Sequence, residues 1–148
     1  MREKMDDAYA IRLAKTELRD AYNTGDVNRV LSVYADAYSD MSAGRASFYG
    51  TEANAVLKHG LTKLFARYHA RLAVTIISIG IQGDLAFDWG WHKLTLTPRK
   101  GGRPKTTRAR YLEIWRIDEI LSLLRVVGIE NNNHIVVVIG GAKNAWIG

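Results

Sequence analysis

The sequence has no cysteine and only two prolines, and the missing cysteine excludes a group of chemistries. A disulfide, a thiolate nucleophile and a cysteine-ligated metal are all impossible. The longest apolar runs, Leu72–Ile81 and Ile135–Ile139, have the length of strands and are too short to cross a bilayer. The charged beginning of the chain shows no signal-peptide pattern. We therefore expect a cytoplasmic protein with no membrane partner.

Motifs for cofactors are also missing. No glycine-rich phosphate loop stands between a strand and a helix, and no nucleophile elbow occurs. The four histidines do not follow a metal-ligand spacing. We expect neither a metal nor a cofactor.

The charge is unbalanced, at a formal +6 with 21 basic and 15 acidic residues. Many of the basic residues surround Pro98–Pro104, which the Gly-Gly and proline signals predict to be a hairpin loop. Nucleic-acid sites interleave aromatic side chains with the charges, and this loop has none. We expect the loop to be solvated, and no nucleic-acid partner.

Periodicity predicts three helices followed by strands. The first helix has an apolar stripe that ends before Gly25, and Arg12 and Lys15 are expected to point away from it. Asp26 suits the cap of a second helix and Thr51 the cap of a third. The stripe of the first helix consists of Ile11, Ala14, Leu18, Ala21 and Tyr22.

From Arg71 the period changes to that of strands. We expect them over Leu72–Gln82, Leu85–Thr97, Lys105–Ile117 and Ile120–Glu130. His134–Ile139 is either one more strand or a tail that pairs with a neighbouring subunit. Helices followed by antiparallel strands indicate an α+β fold in a single domain, residues 1–148, with its core at about 7–133.

Several strings, in this order, resemble the nuclear transport factor two-like, or SnoaL-like, superfamily. They are NTGDVNRVLSVYAD, GDLAFDWGWHKLTLTP, TTRARYLEIWR and GIENNN. The resemblance implies a cone-shaped, curved antiparallel sheet closed by three N-terminal helices. It also implies a homodimer and a deep, largely apolar pocket. It implies no single activity, because members include isomerases, dehydratases, cyclases and binding proteins.

Ketosteroid isomerase, a member of that superfamily, gives a residue-level comparison. Alignment through Gly25-Asp26 puts Leu18 at its oxyanion tyrosine, Ser42 at its general base and Tyr111 near its protonated aspartate. None of these functional groups is retained, so we do not expect steroid isomerisation.

Tyr38, Asp40 and Ser42 alternate along the first strand, so their side chains share a face. If that face is inward, burial raises the pKa of Asp40 and suits it to general acid–base chemistry, with Tyr38 donating a hydrogen bond. The alternative is that Asp40 lies at the rim and caps a backbone amide. Tyr22 and Ser42 are expected to line the pocket.

The strand Leu85–Thr97 has two contrasting faces. By the family register Phe87, Trp89 and Trp91 line the pocket as an aromatic wall. In the alternative register Asp88 and His92 are buried instead, as an acid–imidazole pair for proton transfer.

On the next strand Tyr111, Glu113 and Trp115 share the face that suits the pocket. Glu113 either pairs with Asp40 across the cavity, which would raise one of the two pKa values, or pairs with an arginine at the surface.

The sequence predicts a homodimer that binds a small apolar or cyclic molecule. Acid–base catalysis with Asp40 as the base is the first hypothesis, as an isomerase, cyclase, dehydratase or hydratase. The alternative is a non-catalytic small-molecule or protein-binding module of the same fold.

Overall fold

The computed structural model describes residues 4–40, 46, 48–83, 85–116 and 135–140. Three helices come before most of the strands, which confirms the predicted α+β class. The helices are α1 Lys4–Thr24, α2 Val27–Val33 and α3 Gly50–Arg67. The strands are β1 Tyr34–Asp40, β2 Phe48–Tyr49, β3 Tyr68–Gln82, β4 Leu85–Pro98, β5 Lys105–Arg116 and β6 Ile135–Gly140.

The turn between α1 and α2 follows from two residues. Gly25 has a φ of 70°, which glycine adopts without steric cost. The Asp26 side chain then accepts a hydrogen bond of 3.1 Å from the Arg29 backbone N–H, and so caps α2 as predicted. The prediction that Thr51 caps α3 is wrong, because the N-cap residue is Tyr49 and Thr51 lies inside the helix.

One six-stranded sheet carries the helices, in the order β2-β1-β6-β5-β4-β3. The β3–β4–β5–β6 pairs are antiparallel as expected, but β1 and β6 run parallel. The late strand β6 pairs within its own chain, between β1 and β5. The predicted strand Ile120–Glu130 and the candidate Ser42 lie outside the described residues.

The register of the β4–β5 hairpin fixes which side chains meet. Leu96 pairs with Lys105 and Asp88 pairs with Glu113, so even-numbered residues of β4 stand opposite odd-numbered residues of β5. Cross-strand partners point to the same face. The face that the helices cover carries Ala86, Asp88, Gly90, His92 and Leu94 of β4, and Ala109, Tyr111, Glu113 and Trp115 of β5.

A bulge in β3 lies opposite Gly90. Gly90 pairs with Ile76 and Trp89 with Ser78, so Ile77 is the additional residue. A Cβ atom on Gly90 would lie 1.9 Å from the Thr75 carbonyl oxygen. Glycine is therefore required there by the close approach of the two backbones, beside the strand position that carries Asp88.

Candidate functional site

Three carboxylates occupy one row across the sheet. Asp40 of β1 pairs with Val138 of β6, Val138 pairs with Glu113 of β5, and Glu113 pairs with Asp88 of β4. All three carboxylates are buried, Asp88 and Glu113 completely and Asp40 to 7 % exposure. Asp40 and Glu113 are two strands apart, which separates their Cα atoms by about 10 Å.

Asp88 is held by donors from β5. The Tyr111 hydroxyl donates to one of its carboxylate oxygens at 2.6 Å, and the Trp115 indole N–H donates to the other at 2.6 Å. Small residues make this geometry possible, since Ala86 and Gly90 of β4 are the cross-strand partners of Trp115 and Tyr111. The pair of bonds replaces the water that a buried carboxylate would otherwise need.

Lys15 brings the compensating charge from α1. Its ammonium group donates to Glu113 Oε2 and lies 3.7 Å from Asp88 Oδ2. The same group stands over the Tyr111 ring, 3.8 Å from the ring centroid, where a cation is attracted by the π face. Lys15 is therefore the cation that allows two carboxylates to face each other in the core.

Glu113 is the acid of this cluster that protonates near neutral pH. Burial raises its pKa, Lys15 lowers it, the charge of Asp88 raises it again, and the resulting pKa is about 7. With both acids ionised the three charges sum to minus one, and a proton on Glu113 brings them to zero. Its Oε1 atom accepts no hydrogen bond from the residues that the structure describes.

His92 lies next to this cluster. Its ring stacks on that of Tyr111, with 4.3 Å between centroids and 15° between planes. Burial lowers the pKa of His92 well below its usual value, and the charge of Lys15 adds to this effect. His92 is consequently a neutral imidazole at pH 7. Burial and the neighbouring Asp88 also raise the pKa of Tyr111.

Tyr38 and Asp40, the sequence-predicted catalytic pair, are both buried. The Tyr38 hydroxyl donates to the Ala53 carbonyl oxygen at 3.1 Å, and its ring lies 4.9 Å from that of Tyr34. Burial raises the pKa of Tyr34 well above its usual value, and Glu113 and Asp40 both add to the rise. The charges of both carboxylates therefore act on Tyr34.

The prediction that the aromatic residues of β4 point towards the pocket is wrong. Phe87 and Trp89 are on the outer face, 40 % and 41 % exposed, and Trp91 is half-buried there. The structure has the alternative register, with Asp88 and His92 inward. The reason is the hairpin pairing: once Tyr111 points inward, its even-numbered partners on β4 must do so too. The hydrogen bonds at Asp88 come from Tyr111 and Trp115 and not from His92.

The inward facing predicted for Tyr111, Glu113 and Trp115 is confirmed by their burial, whereas their role in binding a substrate stays a prediction. Glu113 pairs with Lys15 rather than with Asp40 or a surface arginine. Tyr22 is fully buried and meets Phe65 edge-on at 5.5 Å.

Sequence reasoning missed Lys15 as a core residue. It is only 3 % exposed, although the charge suggested that it points away from the core. The available signal was its position one turn after Ile11 and one turn before Leu18, within the apolar stripe. Asp7 extends that stripe one turn further and is buried as well.

A separate surface cavity of about 230 Å³ lies where α3 ends against the β4–β5 hairpin, lined by Ala66, Arg67, Tyr68, Pro98, Arg99 and Lys100. Among the described residues no group of three or more His, Asp or Glu side chains is arranged to hold a metal. Within the same residues, no helix is long and apolar enough to cross a membrane.

Comparisons with known proteins give a fold and no sequence family. No family model and no curated protein matches the sequence. Among solved structures, a Novosphingobium aromaticivorans protein provisionally assigned as an aromatic ring hydroxylase has a TM-score of 0.72. It is 19 % identical, over 97 % of this chain and 94 % of that one.

Two further structures carry family names. A ketosteroid isomerase-like protein from Erwinia carotovora atroseptica has a TM-score of 0.63, with 18 % identity over 89 % of this chain and 92 % of that one. A Streptomyces avermitilis protein of the NTF2-like family, provisionally assigned as a dehydratase, has a TM-score of 0.68. Its identity is 13 %, over 94 % of this chain and 97 % of that one.

The chain has the NTF2-like fold. Identities this low establish the fold but not the activity, so the chemistry of the site depends on the residues of this chain. Within its NTF2-like fold this chain places Lys15, Asp88 and Glu113 together under α1.

Proposed function

We propose that the protein is a cofactor-independent acid–base enzyme of the lyase or isomerase type, acting on a small apolar or cyclic molecule. Glu113 exchanges the proton. The observation that carries the proposal is the buried Lys15–Glu113–Asp88 cluster, in which the pKa of Glu113 is raised to about 7. A general acid or base works best when its pKa lies near the working pH.

The neighbouring groups have defined parts in this proposal. Ionised Glu113 takes a proton from a carbon acid through Oε1, and returns it to the product or to a leaving group. The Lys15 ammonium group lies beside it and stabilises negative charge that develops on the substrate. Asp88 balances Lys15, and its donors Tyr111 and Trp115 hold it in place.

Asp40 is the second carboxylate of the proposed site. It lies in the same row as Glu113, about 10 Å away between Cα atoms, on the far side of the β6 strand. A substrate between the two would meet the rings of Tyr34 and Tyr38, which favours an apolar or cyclic molecule. The Tyr38 hydroxyl donates its proton to the Ala53 carbonyl oxygen.

A base-catalysed ring opening tests the proposal without knowledge of the natural substrate. In 5-nitrobenzisoxazole, removal of the ring C–H proton by a base breaks the N–O bond and releases a coloured cyanophenolate. We expect turnover that rises with pH through about 7, following ionisation of Glu113. Glu113→Gln should remove it, whereas Glu52→Gln on the exposed first turn of α3 should not.

Asp40→Asn distinguishes the two carboxylates as the base. Loss of turnover in Asp40→Asn with retention in Glu113→Gln would assign the base to Asp40, as the sequence first suggested. Retention of full turnover in both variants would contradict acid–base catalysis at this row.

A non-catalytic binding module of the same fold is the second candidate. The observation in its favour is that both oxygens of Asp88 and one oxygen of Glu113 already have partners inside the protein. In that case 5-nitrobenzisoxazole would bind, as a thermal shift or fluorescence quenching would show, with no release of product above the buffer rate.

A further inference from the structure

Charge is segregated between the two faces of strands β3, β4 and β5. The acidic residues of these strands are Asp88 and Glu113, and both are buried on the helix side. The outer face carries four exposed basic side chains near the half-buried Trp91. We call these four residues the cationic strip: Arg71, Lys93, Arg108 and Arg110.

The sheet register brings these charges together. Lys93 pairs with Arg108, and Trp91 pairs with Arg110 on the same face. Like charges directly opposite each other across a ladder are destabilising. Among the described residues no salt bridge involves a member of the strip. An anionic partner would therefore relieve a repulsion that the described residues leave uncompensated.

Trp91 adds an aromatic surface to the charges. The guanidinium groups of Arg108 and Arg110 lie 4.7 Å and 5.1 Å from the centroid of its ring. Planar guanidinium groups and indole rings are the surfaces on which unpaired bases stack. The hairpin loop alone has no aromatic residue, so this combination appears only once the strands are paired.

Further basic residues lie in the loop of the β4–β5 hairpin, at the end of the strands that carry the strip. Arg99 is fixed to the end of α3, because its side chain donates to the Phe65 carbonyl at 2.8 Å and its backbone N–H donates to that of Arg67 at 2.9 Å. Lys100 and Arg103 follow in exposed positions of the loop. From Trp91 to the loop the basic surface is about 20 Å long at the rise of a strand.

We propose that the cationic strip binds single-stranded nucleic acid, with phosphates on its four basic side chains and a base stacked on the Trp91–arginine layer. A single strand is favoured over a duplex because its bases are free to stack, and because the helices, which could enter a groove, pack on the opposite face of the sheet. The strip is separate from the Glu113 cluster, so this proposal does not depend on the proposed enzyme activity.

Fluorescence anisotropy with a labelled oligothymidylate of about twelve nucleotides tests this. Four phosphate contacts predict a slope of about −3 for log affinity against log salt. Arg108→Gln/Arg110→Gln should weaken binding on the order of tenfold or more, and make the slope shallower by about 1.4. Trp91→Leu should weaken binding with an unchanged slope, since it removes stacking and no charge.

The matched control is Lys58→Gln/Lys63→Gln, which removes two exposed charges from α3 on the other side of the sheet. It should leave the affinity within about twofold and the slope unchanged; thermal melts confirm that each variant is folded. No binding at about 20 mM salt, or equal losses in both double variants, would overturn the proposal. If polyglutamate competes with the labelled strand as strongly as unlabelled oligonucleotide does, the proposal of a nucleic-acid partner is overturned in favour of an acidic polypeptide.

Discussion

Two carboxylates that stand opposite each other on paired strands repel, and in this protein Lys15 lies between them. Asp88 and Glu113 are cross-strand partners, and removing Lys15 would take away the ammonium group that contacts both buried acids. Breaking a buried ion pair on one side costs about 3–5 kcal/mol. Lys15 therefore contributes both to the candidate site and to the stability of the protein.

Lys15→Met should lower the free energy of unfolding by about 3–5 kcal/mol, measured by urea denaturation at pH 7. Lys15→Met/Glu113→Gln should recover a large part of that loss, because the neutral amide no longer needs the ammonium group. The control Lys63→Met on the exposed face of α3 should change stability by less than about 0.5 kcal/mol. Additive losses in the double variant would show that Lys15 and Glu113 do not interact.

Glu113 should also make stability depend on pH. Its folded pKa is raised to about 7 from 4.5, so the folded state holds the proton more tightly than the unfolded state. The stabilisation is fully present below the unfolded pKa and is lost as pH rises through about 7. The stability of the wild type relative to Glu113→Gln should fall between pH 5 and pH 7, by about 1 kcal/mol per unit at the steepest. A difference that is constant over this range would contradict the raised pKa.

At the level of single residues the sequence gives the inward face of β5 correctly but not Lys15. Alternation is enough to put Tyr111, Glu113 and Trp115 on one side. It carries no information about a charge on another element that reaches the same spot. A lysine within an apolar stripe looks like an interruption until the acids that it neutralises are known.

At the scale of elements, the pairing of β4 with β5 decides the site. Predicted separately, each strand puts its larger aromatic residues inward. The hairpin register forbids this, because odd-numbered residues of the two strands point to opposite faces. The three helices and the long strands were predictable from periodicity, whereas this coupling depends on the length of the turn that joins β4 to β5.

Gly90→Ala tests the bulge. The new Cβ would lie 1.9 Å from the Thr75 carbonyl oxygen, a backbone atom that moves only if the strand moves. We expect a loss of about 1–3 kcal/mol in the free energy of unfolding, as for other overpacked sites. Gly80→Ala is the comparison, because the three atoms nearest to its Cβ all belong to the ring of Phe87, which is exposed and can rotate away. An equal or larger loss in Gly80→Ala would contradict the assignment of strain to the bulge.

For the whole molecule, we propose that two copies pair through the apolar half of the outer sheet face. That half exposes the large side chains Ile77, Leu85, Phe87 and Trp89, and clusters of exposed apolar residues mark interaction sites. The cationic strip begins beside it at Trp91, so the two surfaces share β4. The order of elements and the fold were predictable from the sequence. The use of this face for pairing was not, because the sequence pattern predicted that Phe87 and Trp89 point into the pocket.

Sedimentation velocity should show a dimer that Trp89→Ser weakens, since the substitution removes an exposed aromatic side chain from the patch. Tyr9→Ser, which removes an aromatic side chain from an exposed position on α1, should leave the dimer unchanged. A monomeric wild type at all concentrations would contradict the pairing.

The protonation of Glu113 is the central claim, and carbon NMR measures it directly. In protein labelled with ¹³C at the glutamate side-chain carboxyl carbon, the Glu113 resonance is the one missing from Glu113→Gln. Its shift, followed from about pH 4 to pH 9, should change with a midpoint near 7, the value to which burial and Asp88 raise its pKa against the opposing effect of Lys15. A midpoint below about 5, in the range of an ordinary glutamate, would contradict the proposed acid–base role.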